Sequence, residues 1–259
     1  MIKVYLGIPT TGSISDTLLY AIREWEKNYR EQIEFVMPER CTRRIFHDFA
    51  RSAIVDDFLA TDCDILWFID SDVTPPKHAP DLITKHGDKW QVAGAPYPVF
   101  QCFPGSKDPS VVMTVYNGTD GMGLAPSECP YEGTDWVDGL ATGCMMIKRD
   151  IFARLTKPWF EFKYEQETRH MLEGEDIGFC RKLNALGIRF FVDYGMVCKH
   201  QKSVCLLEVN NYATNCANKM VAAYDQMIRG KMETLAKAAF TQRQTPSTEQ
   251  FIKPKLVLP

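Results

Sequence analysis

The sequence predicts an α/β protein whose central sheet is covered by helices on both faces. Residues 65–69 form an uninterrupted apolar run, which is typical of a strand that is buried on both sides. Apolar residues also recur at helical spacing before this run, at 18–25 and 46–59. The chain has 259 residues, 45% of them hydrophobic, which is enough to build the core of one large domain.

Strands and helices alternate in the N-terminal third of the chain. Residues 2–8 and 33–37 are short apolar runs of the kind that favours strands. Asp16 is predicted to cap a helix that ends near Tyr29, and a second helix is predicted over 46–59. The loop after the first strand contains Pro9 and Thr10, and its backbone amides could hold a nucleotide.

Two carboxylates, Asp70 and Asp72, follow the central strand with Ser71 between them. Ligands of open α/β sheets bind beyond the carboxyl ends of the strands, so these acids are expected at the mouth of a site. Hard divalent cations often bridge a carboxylate to substrate phosphates, which is one function for such a pair. The alternative is a plain turn, because Asp and Ser bond their own backbone and Pro75 and Pro76 stop regular structure.

The middle of the chain is predicted to be less regular. A short helix over 80–85 leads to a strand at 91–94, which runs into a constrained turn. Residues 103–135 are predicted to be mostly irregular, with one strand-like run at 111–116. Irregular segments of this length in compact domains are often functional, so this one is expected to face the substrate.

A glycine-rich turn over 137–143 precedes an apolar strand that ends near Ile147. Gly139 and Gly143 would let a ligand approach the backbone closely, and a β-bulge is the alternative explanation. The next predicted helix begins at Lys148.

Glu175 and Asp176 stand before a predicted helix over 177–186, which Gly187 ends. Either acid would make a good helix cap. The helix dipole would also keep a carboxylate ionised there, as a general base requires. The two interpretations are compatible.

His200 and three arginines near the second helix each have two possible interpretations. His200 ends the second of two predicted strands, at 188–192 and 195–200, and a lone histidine is either a ligand or structural. Arg43, Arg44 and Arg51 lie along the second helix. They would either reach a diphosphate or belong to a solvated helix face.

The C-terminal part of the chain is predicted to be a long amphipathic helix over 213–239, followed by an extended tail over 241–259. Its apolar stripe would pack on the core or on a second subunit, which would make a homo-oligomer. The chain is therefore divided into a catalytic domain at 1–205 and a helix and tail at 206–259.

Composition excludes several other classes. A net charge of −3 and a pI near 6.0 disfavour a protein that wraps duplex DNA. The apolar runs are shorter than a membrane-spanning helix, and residues 1–7 resemble a strand rather than a signal peptide, so we expect a cytoplasmic protein without a transmembrane segment. The nine cysteines form no CxxC pair, which indicates reduced thiols.

Four features occur together in the order found in GT-A glycosyltransferases. They are the strand ending in Asp70-Ser71-Asp72, the glycine-rich turn at 137–143, the Glu175-Asp176 pair before a helix, and His200. Over about residues 2–200 the sequence therefore resembles this class, and within it glycosyltransferase family 2 and its relatives. The resemblance implies one GT-A, Rossmann-like domain with a mixed central sheet flanked by helices.

The resemblance also implies a role for each matched residue. Asp72, with Asp70 and His200, would ligate Mn²⁺ or Mg²⁺. Asp176 would be the general base of an inverting transfer, supported by Glu175. The residues that would bind the nucleotide sugar are Pro9, Thr10, Arg51, Asp70, Ser71, Gly94, Asp138 and Gly139.

The implied substrates are a nucleoside-diphosphate sugar and an acceptor that bears a hydroxyl, such as a glycan, a lipid-linked sugar, a protein or a modified DNA base. Two details stay open. Family 2 members often have Arg-Asn where this chain has Arg51-Ser52, which puts nucleotide contacts from that helix in doubt. A retaining outcome is also compatible with the metal site, since only the role of Asp176 indicates inversion.

Three rival functions differ in sequence or in product. An NTPase could share a strand ending in Asp, but the chain has no GxxxxGK[ST] loop for phosphate. A nucleotidyltransferase that makes nucleotide sugars would release pyrophosphate. A non-catalytic sugar-binding module would leave the donor intact.

Overall fold

The computed structural model describes residues 1–10, 12–38, 46–101, 110–119, 123–202, 214, 216–222 and 226–231. Contacts within the chain divide it into two units, Met1–Lys202 and Ser203–Pro259. The fold and the site discussed below belong to the first unit.

Sixteen strands and four α-helices are described in the first unit. The strands are Ile2–Gly7 (β1), Ile33–Val36 (β2), Ile65–Ile69 (β3), Val73–Thr74 (β4), Val92–Gly94 (β5), Pro98–Gln101 (β6), Ser110–Met113 (β7), Val115–Thr119 (β8), Gly123–Pro126 (β9), Thr134–Val137 (β10), Gly139–Leu140 (β11), Cys144–Lys148 (β12), Lys163–Tyr164 (β13), Met171–Glu173 (β14), Phe190–Asp193 (β15) and Lys199–His200 (β16). The α-helices are Asp16–Tyr29 (α1), His47–Leu59 (α2), Asp81–Thr84 (α3) and Glu175–Asn184 (α4), and the 3₁₀ helices are Arg149–Arg154 and Tyr194–Met196.

The central sheet has seven strands in the order β10-β15-β5-β12-β3-β1-β2. Strands β1, β2 and β3 are parallel to one another, as are β5 and β15. Strand β12 runs antiparallel between β3 and β5, and β10 runs antiparallel at the edge. The predicted fold class is therefore confirmed: the protein is α/β, with a mixed central sheet flanked by helices. This is the arrangement expected for a GT-A, Rossmann-like domain.

Alternate side chains of the central strands enter two separate cores. In β3, Ile65, Trp67 and Ile69 face the core that contains α1, while Leu66 and Phe68 face the core that contains α2 and α4. All five side chains are at most 4% exposed. Burial on both sides explains why this strand reads as a continuous apolar run rather than an alternating one.

Two predicted helix starts differ from the structure, and one predicted helix end agrees with it. The α1 cap is Ser15, whose Oγ accepts a hydrogen bond from the Leu18 amide, rather than Asp16. Gly174 occupies the N-cap of α4, so Glu175 and Asp176 lie in its first turn instead of capping it. Gly187 has a φ of +73°, which suits a glycine just after a helix, as predicted.

The expectation of an irregular segment over 103–135 is wrong for much of its described part. Residues Ser110–Met113 form a hairpin with β6, and β8 pairs with both β9 and β11 in a small antiparallel sheet. Likewise, the strand predicted at 195–200 consists of a 3₁₀ turn and the two residues of β16. Residues 103–109 lie outside the described residues.

The C-terminal helix is described at 214, 216–222 and 226–231, all helical. Met220, Val221, Met227 and Ile228 on its apolar stripe are between 40% and 74% exposed. A homo-oligomer formed through this stripe remains a prediction. The predicted tail lies outside the described residues. None of the described helices is both long and apolar enough to cross a membrane.

We predict that Gly94→Ala destabilises the fold by about 1–3 kcal/mol, because overpacking a filled core has a cost of this size. A Cβ atom on Gly94 would lie 2.4 Å from the backbone oxygen of Cys144 in the neighbouring strand. Urea unfolding of the variant measures the change. Gly12→Ala is the control, since a Cβ atom there meets nothing within 4 Å. Equal stability of the two variants would contradict the prediction.

Candidate active site

The carboxyl ends of β1, β3 and β5 meet the start of β12 at one edge of the sheet. Asp70 follows β3, and its amide donates to the carbonyl of Gly143, just before β12, at 3.0 Å. The Gly143 amide in turn donates to the hydroxyl of Tyr97, beyond the end of β5, at 3.2 Å. An antiparallel strand begins where its parallel neighbours end, so β12 brings its first residues to the edge where ligands bind in open α/β sheets.

A cleft of about 160 Å³ lies at this edge. Its lining residues come from the ends of β1 and β3, the first turns of α2, and the residues after β16: Pro9, Thr10, His47, Ala50, Asp70, Ser71, Asp72 and Lys202. The loop after β1 is fixed from within, since the Thr10 hydroxyl donates to the Ser13 carbonyl and accepts from the Gly12 amide. Five of the residues predicted to bind donor or metal therefore line one cleft.

Asp72 and His200 are brought together by the pairing of β4 with β16. His200 pairs with Val73 in this two-stranded ladder, and His200 Nε2 lies 3.5 Å from Asp72 Oδ2. His200 Nδ1 lies 2.8 Å from the carbonyl of Pro98, which fixes the ring. His200 and Lys202 hold the pKa of Asp72 well below its usual range, although burial alone would raise it. Asp72 in turn raises the pKa of His200.

Asp70 lines the same cleft as Asp72, but Arg51 holds it in an ion pair. Arg51 Nη2 lies 3.0 Å from Asp70 Oδ1, and Arg51 Nε lies 3.3 Å from Glu175 Oε1. The arginine is only 4% exposed, so its interpretation as a solvated charge is wrong. Burial disfavours its charge, but Asp70 and Glu175 outweigh that effect and raise the pKa of Arg51. Arg43 and Arg44 lie outside the described residues.

Arg51 has spare hydrogen-bonding capacity in the core. Its Nη1 atom is buried and has no partner among the described residues. The buried Thr142 hydroxyl, one residue before Gly143, is also unpartnered within that part of the chain. Buried polar groups of this kind are rare and call for an explanation such as a ligand or an ordered water.

Asp176 lies near Arg51 and Glu175, in the first turn of α4. Its Oδ1 accepts a hydrogen bond from the Ile177 amide at 2.8 Å. Burial and the adjacent Glu175 carboxylate raise the pKa of Asp176 to about 6, although Arg51 opposes the change. A carboxylate with a raised pKa is a better proton acceptor than an ordinary one and is still ionised near neutral pH.

The metal site predicted from sequence is only partly assembled. Among the described residues, no three His, Cys, Asp or Glu side chains form a group that could hold a metal ion, since Asp70 is bound to Arg51. Asp72 and His200 still fit a divalent cation whose other ligands are substrate phosphate and water, the usual arrangement for Mg²⁺. Their 3.5 Å separation suits two ligands of one ion, and the Pro98 carbonyl leaves Nε2 free for that role when Nδ1 carries the proton.

Three residues predicted to bind the nucleotide sugar, Gly94, Asp138 and Gly139, also have structural contacts, and their binding role remains a prediction. Gly94 allows β5 to approach β12 closely. Asp138 accepts hydrogen bonds from the Gly118 amide and from Arg189. A Cβ atom on Gly139 would meet Leu124 of β9 at 2.9 Å and Cys180 of α4 at 3.4 Å. These contacts explain the residue types without a ligand.

Tyr97 is a site residue that the sequence analysis missed. It is 5% exposed, and its ring makes an edge contact with His200 at a centroid distance of 5.1 Å. A Cβ atom on Gly143 would lie 2.5 Å from the Tyr97 hydroxyl and 2.8 Å from Asp70 Oδ2, so only glycine fits between them. Applying the strand-end rule to β5 as well as β3 would have pointed to Tyr97.

Comparison with known proteins extends only to the fold. No protein-family model matches the chain, and no curated protein matches it. The chain is similar to the crystal structure of A197 from STIV, with 20% identity and a TM-score of 0.50, over 78% of this chain and 87% of that chain. At this identity the likeness shows a shared fold.

The chain also matches the crystal structure of GalNAc-T7 with UDP, GalNAc and Mn²⁺, with 13% identity and a TM-score of 0.44. The match covers 78% of this chain and 44% of that chain, so this chain spans less than half of GalNAc-T7. A likeness this weak supports no conclusion about activity.

We predict that Arg51→Met lowers the free energy of unfolding by about 3–5 kcal/mol, because it leaves the buried Glu175 and the partly buried Asp70 without their cation. Arg51→Lys should lie between the variant and the wild type, since one ammonium cannot serve both carboxylates in the same geometry. Urea unfolding at pH 7 measures both. Arg189→Met is the control, because Arg189 pairs with Asp138 while 51% exposed. A loss no larger than that of the control would contradict the prediction.

Proposed function

We propose that this chain is a glycosyltransferase. It moves a hexosyl or pentosyl group from a nucleoside-diphosphate sugar to an acceptor hydroxyl, with inversion, and it uses Mn²⁺ or Mg²⁺. The proposal goes beyond the shared fold and rests on the residues of the cleft and their surroundings.

One observation carries the proposal: two acids in different electrostatic environments border the same edge of the sheet. Asp72 faces the cleft beside His200 and Lys202 and is kept ionised. Asp176 is linked to the same edge through Glu175, Arg51 and Asp70, and its pKa is raised. Acids with separated pKa values are typical of sites that divide charge stabilisation and proton transfer between two groups.

Asp72 and His200 would hold the cation beside the donor diphosphate. A bound divalent cation neutralises the charge that develops on the diphosphate as the sugar leaves. The loop of Pro9 and Thr10 lines the same cleft and would hold the nucleotide with Ser71. Arg51 keeps Asp70 and Glu175 in fixed positions while the charge of the site changes.

Asp176 would accept the proton of the acceptor hydroxyl. The acceptor oxygen attacks the anomeric carbon from the face opposite the diphosphate, forming the new glycosidic bond as the old bond to phosphate breaks. The Asp176 carboxylate takes the proton that the hydroxyl loses, so the reaction is balanced. Glu175 supports the base indirectly, because its negative charge contributes to the raised pKa of Asp176.

The first test is thermal stability of the full chain with a panel of UDP-, GDP-, CMP- and dTDP-sugars, each with Mn²⁺ and with a chelator. A ligand at 100 times its dissociation constant should stabilise the fold by about 2.7 kcal/mol. We expect one donor to raise the melting temperature only when Mn²⁺ is present. We predict that Asp72→Ala weakens that donor's binding with Mn²⁺ by more than about tenfold.

Asp62→Ala is the matched control for Asp72→Ala, since Asp62 is 78% exposed and forms an ion pair with Lys3. It should bind the donor as the wild type does. Unchanged donor affinity in Asp72→Ala would remove Asp72 from the cation site. If no donor stabilises the protein, sugar-phosphate plus NTP is tested next, because release of pyrophosphate would identify a nucleotidyltransferase. A donor that binds but stays intact with every acceptor would indicate a sugar-binding module.

We predict that Asp176→Asn binds the donor normally but lowers kcat by about 10²–10⁴-fold, which is the usual contribution of a general base. In the wild type, kcat/KM should rise with pH up to about 6 and then level off, as Asp176 loses its proton. The variant should lack this rise. Initial rates from pH 4.5 to 8 check both expectations.

Stability gives an independent check on Asp176. Because its pKa is raised on folding, the folded state holds this proton more tightly, and the wild type loses stability as pH rises from about 4 to about 6. Asp176→Asn should therefore be more stable than the wild type at pH 8, by about 3 kcal/mol, and equal to it near pH 4. Asp16→Asn, in the first turn of α1, is the control for loss of a helix N-terminal charge. Near-normal turnover in Asp176→Asn would contradict its role as base.

A further inference from the structure

Lys202 shares a carboxylate oxygen with the proposed cation site. Its Nζ lies 2.5 Å from Asp72 Oδ2, the same atom that lies 3.5 Å from His200 Nε2. In the absence of a divalent cation, the charge of Asp72 is therefore balanced by an ammonium group.

The backbone just before Lys202 is held by a hydrogen bond, while the Lys202 side chain is half-exposed. The Gln201 amide donates to the Asp72 carbonyl at 2.8 Å, which continues the ladder of β16 and β4 by one residue. The Lys202 side chain is 53% exposed, and its ammonium sits on a flexible aliphatic stem. An exposed ion pair of this kind is weak, so the ammonium can leave Asp72 without any change in the backbone.

Lys202 and a divalent cation compete for Asp72. Both carry positive charge, and two cations at one carboxylate oxygen repel each other strongly in a partly buried site. Asp70 is a weaker second partner for the ammonium, because Arg51 already neutralises much of its charge through Oδ1. A divalent cation bound to Asp72 and His200 would therefore displace the ammonium toward the cleft.

The cleft gives the displaced ammonium a new partner. Among its lining residues in the described part of the chain, Lys202 is the only lysine or arginine. Asp70 and Asp72 make the remaining lining acidic, which would repel a diphosphate unless cations are added. The same lysine is thus the side chain available to contact phosphate oxygens once it has left Asp72.

We propose that Lys202 is a cation with two positions, resting on Asp72 in the metal-free protein and turning to the donor diphosphate when Mn²⁺ or Mg²⁺ occupies Asp72 and His200. The inference rests on the proposed function and adds a specific residue to it. It makes the binding of metal and diphosphate cooperative, because the phosphate stabilises the position of Lys202 that the metal requires.

Mn²⁺ alone is the first probe. Free Mn²⁺ is measured by electron paramagnetic resonance during titration of the full chain, for wild type, Lys202→Gln, Lys202→Arg and Asp72→Asn. We expect Lys202→Gln to bind Mn²⁺ about two- to fivefold more tightly, the effect of removing one partly exposed ion pair. Lys202→Arg retains the competing charge and should stay near the wild type, while Asp72→Asn should lose the site.

Lys85→Gln is the matched control, because Lys85 is also an exposed lysine paired with a carboxylate, Asp81, at 2.7 Å. This variant loses the same positive charge, but at a position outside the cleft lining, so its Mn²⁺ affinity should be unchanged. Tighter binding in both glutamine variants would show a general charge effect and overturn the competition.

Inorganic pyrophosphate at saturating Mg²⁺ is the second probe, measured by calorimetry, because it carries the diphosphate without a base or sugar. We expect Lys202→Gln to weaken its binding by about tenfold or more, as loss of a charged hydrogen bond should. Equal binding by the variant, or no binding by the wild type, would overturn the second position of Lys202.

The Mn²⁺ titrations also separate this inference from the proposed function. If Asp72→Asn loses Mn²⁺ but Lys202→Gln binds it as the wild type does, the cation site stands and the role of Lys202 is wrong. If the wild type binds neither Mn²⁺ alone nor pyrophosphate with Mg²⁺, the cation-dependent function itself is overturned.

Discussion

Arg51 places a positive charge inside the core, between the end of β3 and the start of α4, and the arrangement of the site depends on it. A buried arginine is tolerable only when carboxylates surround it, and here Asp70 and Glu175 do so. The same contacts hold Asp70, which leaves Asp72 as the cleft acid that lies beside His200 and Lys202. Through Glu175 they also set the environment of Asp176. One guanidinium thus assigns different roles to acids that are neighbours in sequence.

Much of the fold could be predicted because its main signals are local. The buried strand β3, the helices α1 and α2, and the late helix α4 each have a clear hydrophobic period or a clear end, such as Gly187. The region around β7 to β9 could not be predicted in this way. Its strands are four or five residues long and belong to two small separate sheets, in which β7 pairs with β6 and β8 pairs with β9 and β11. Their apolar patterns are too short to show these pairings.

The site was predictable in its parts but not in its connections. The acids at 70, 72, 175 and 176 and His200 stand at recognisable positions of the sequence. The ion pairs between them could not be predicted, since nothing near Arg51 in the sequence indicates that Arg51 is buried against Asp70 and Glu175. Lys202 and Tyr97 were missed for the same reason. Both act through contacts with residues that are distant along the chain, and such contacts depend on the order of the strands.

The short ladder between β4 and β16 has a consequence for folding kinetics. It joins Val73 to His200, which are far apart in sequence. All the strands of the central sheet that follow β3, namely β5, β10, β12 and β15, lie between these two residues in sequence. Contacts with such large sequence separation form late, because the loop they close is long. The charge pair at Asp72 therefore belongs to the final stage of folding, and a chain with β1 to β3 already assembled would still lack it. Cation binding would accordingly act on the completed sheet rather than help to nucleate it.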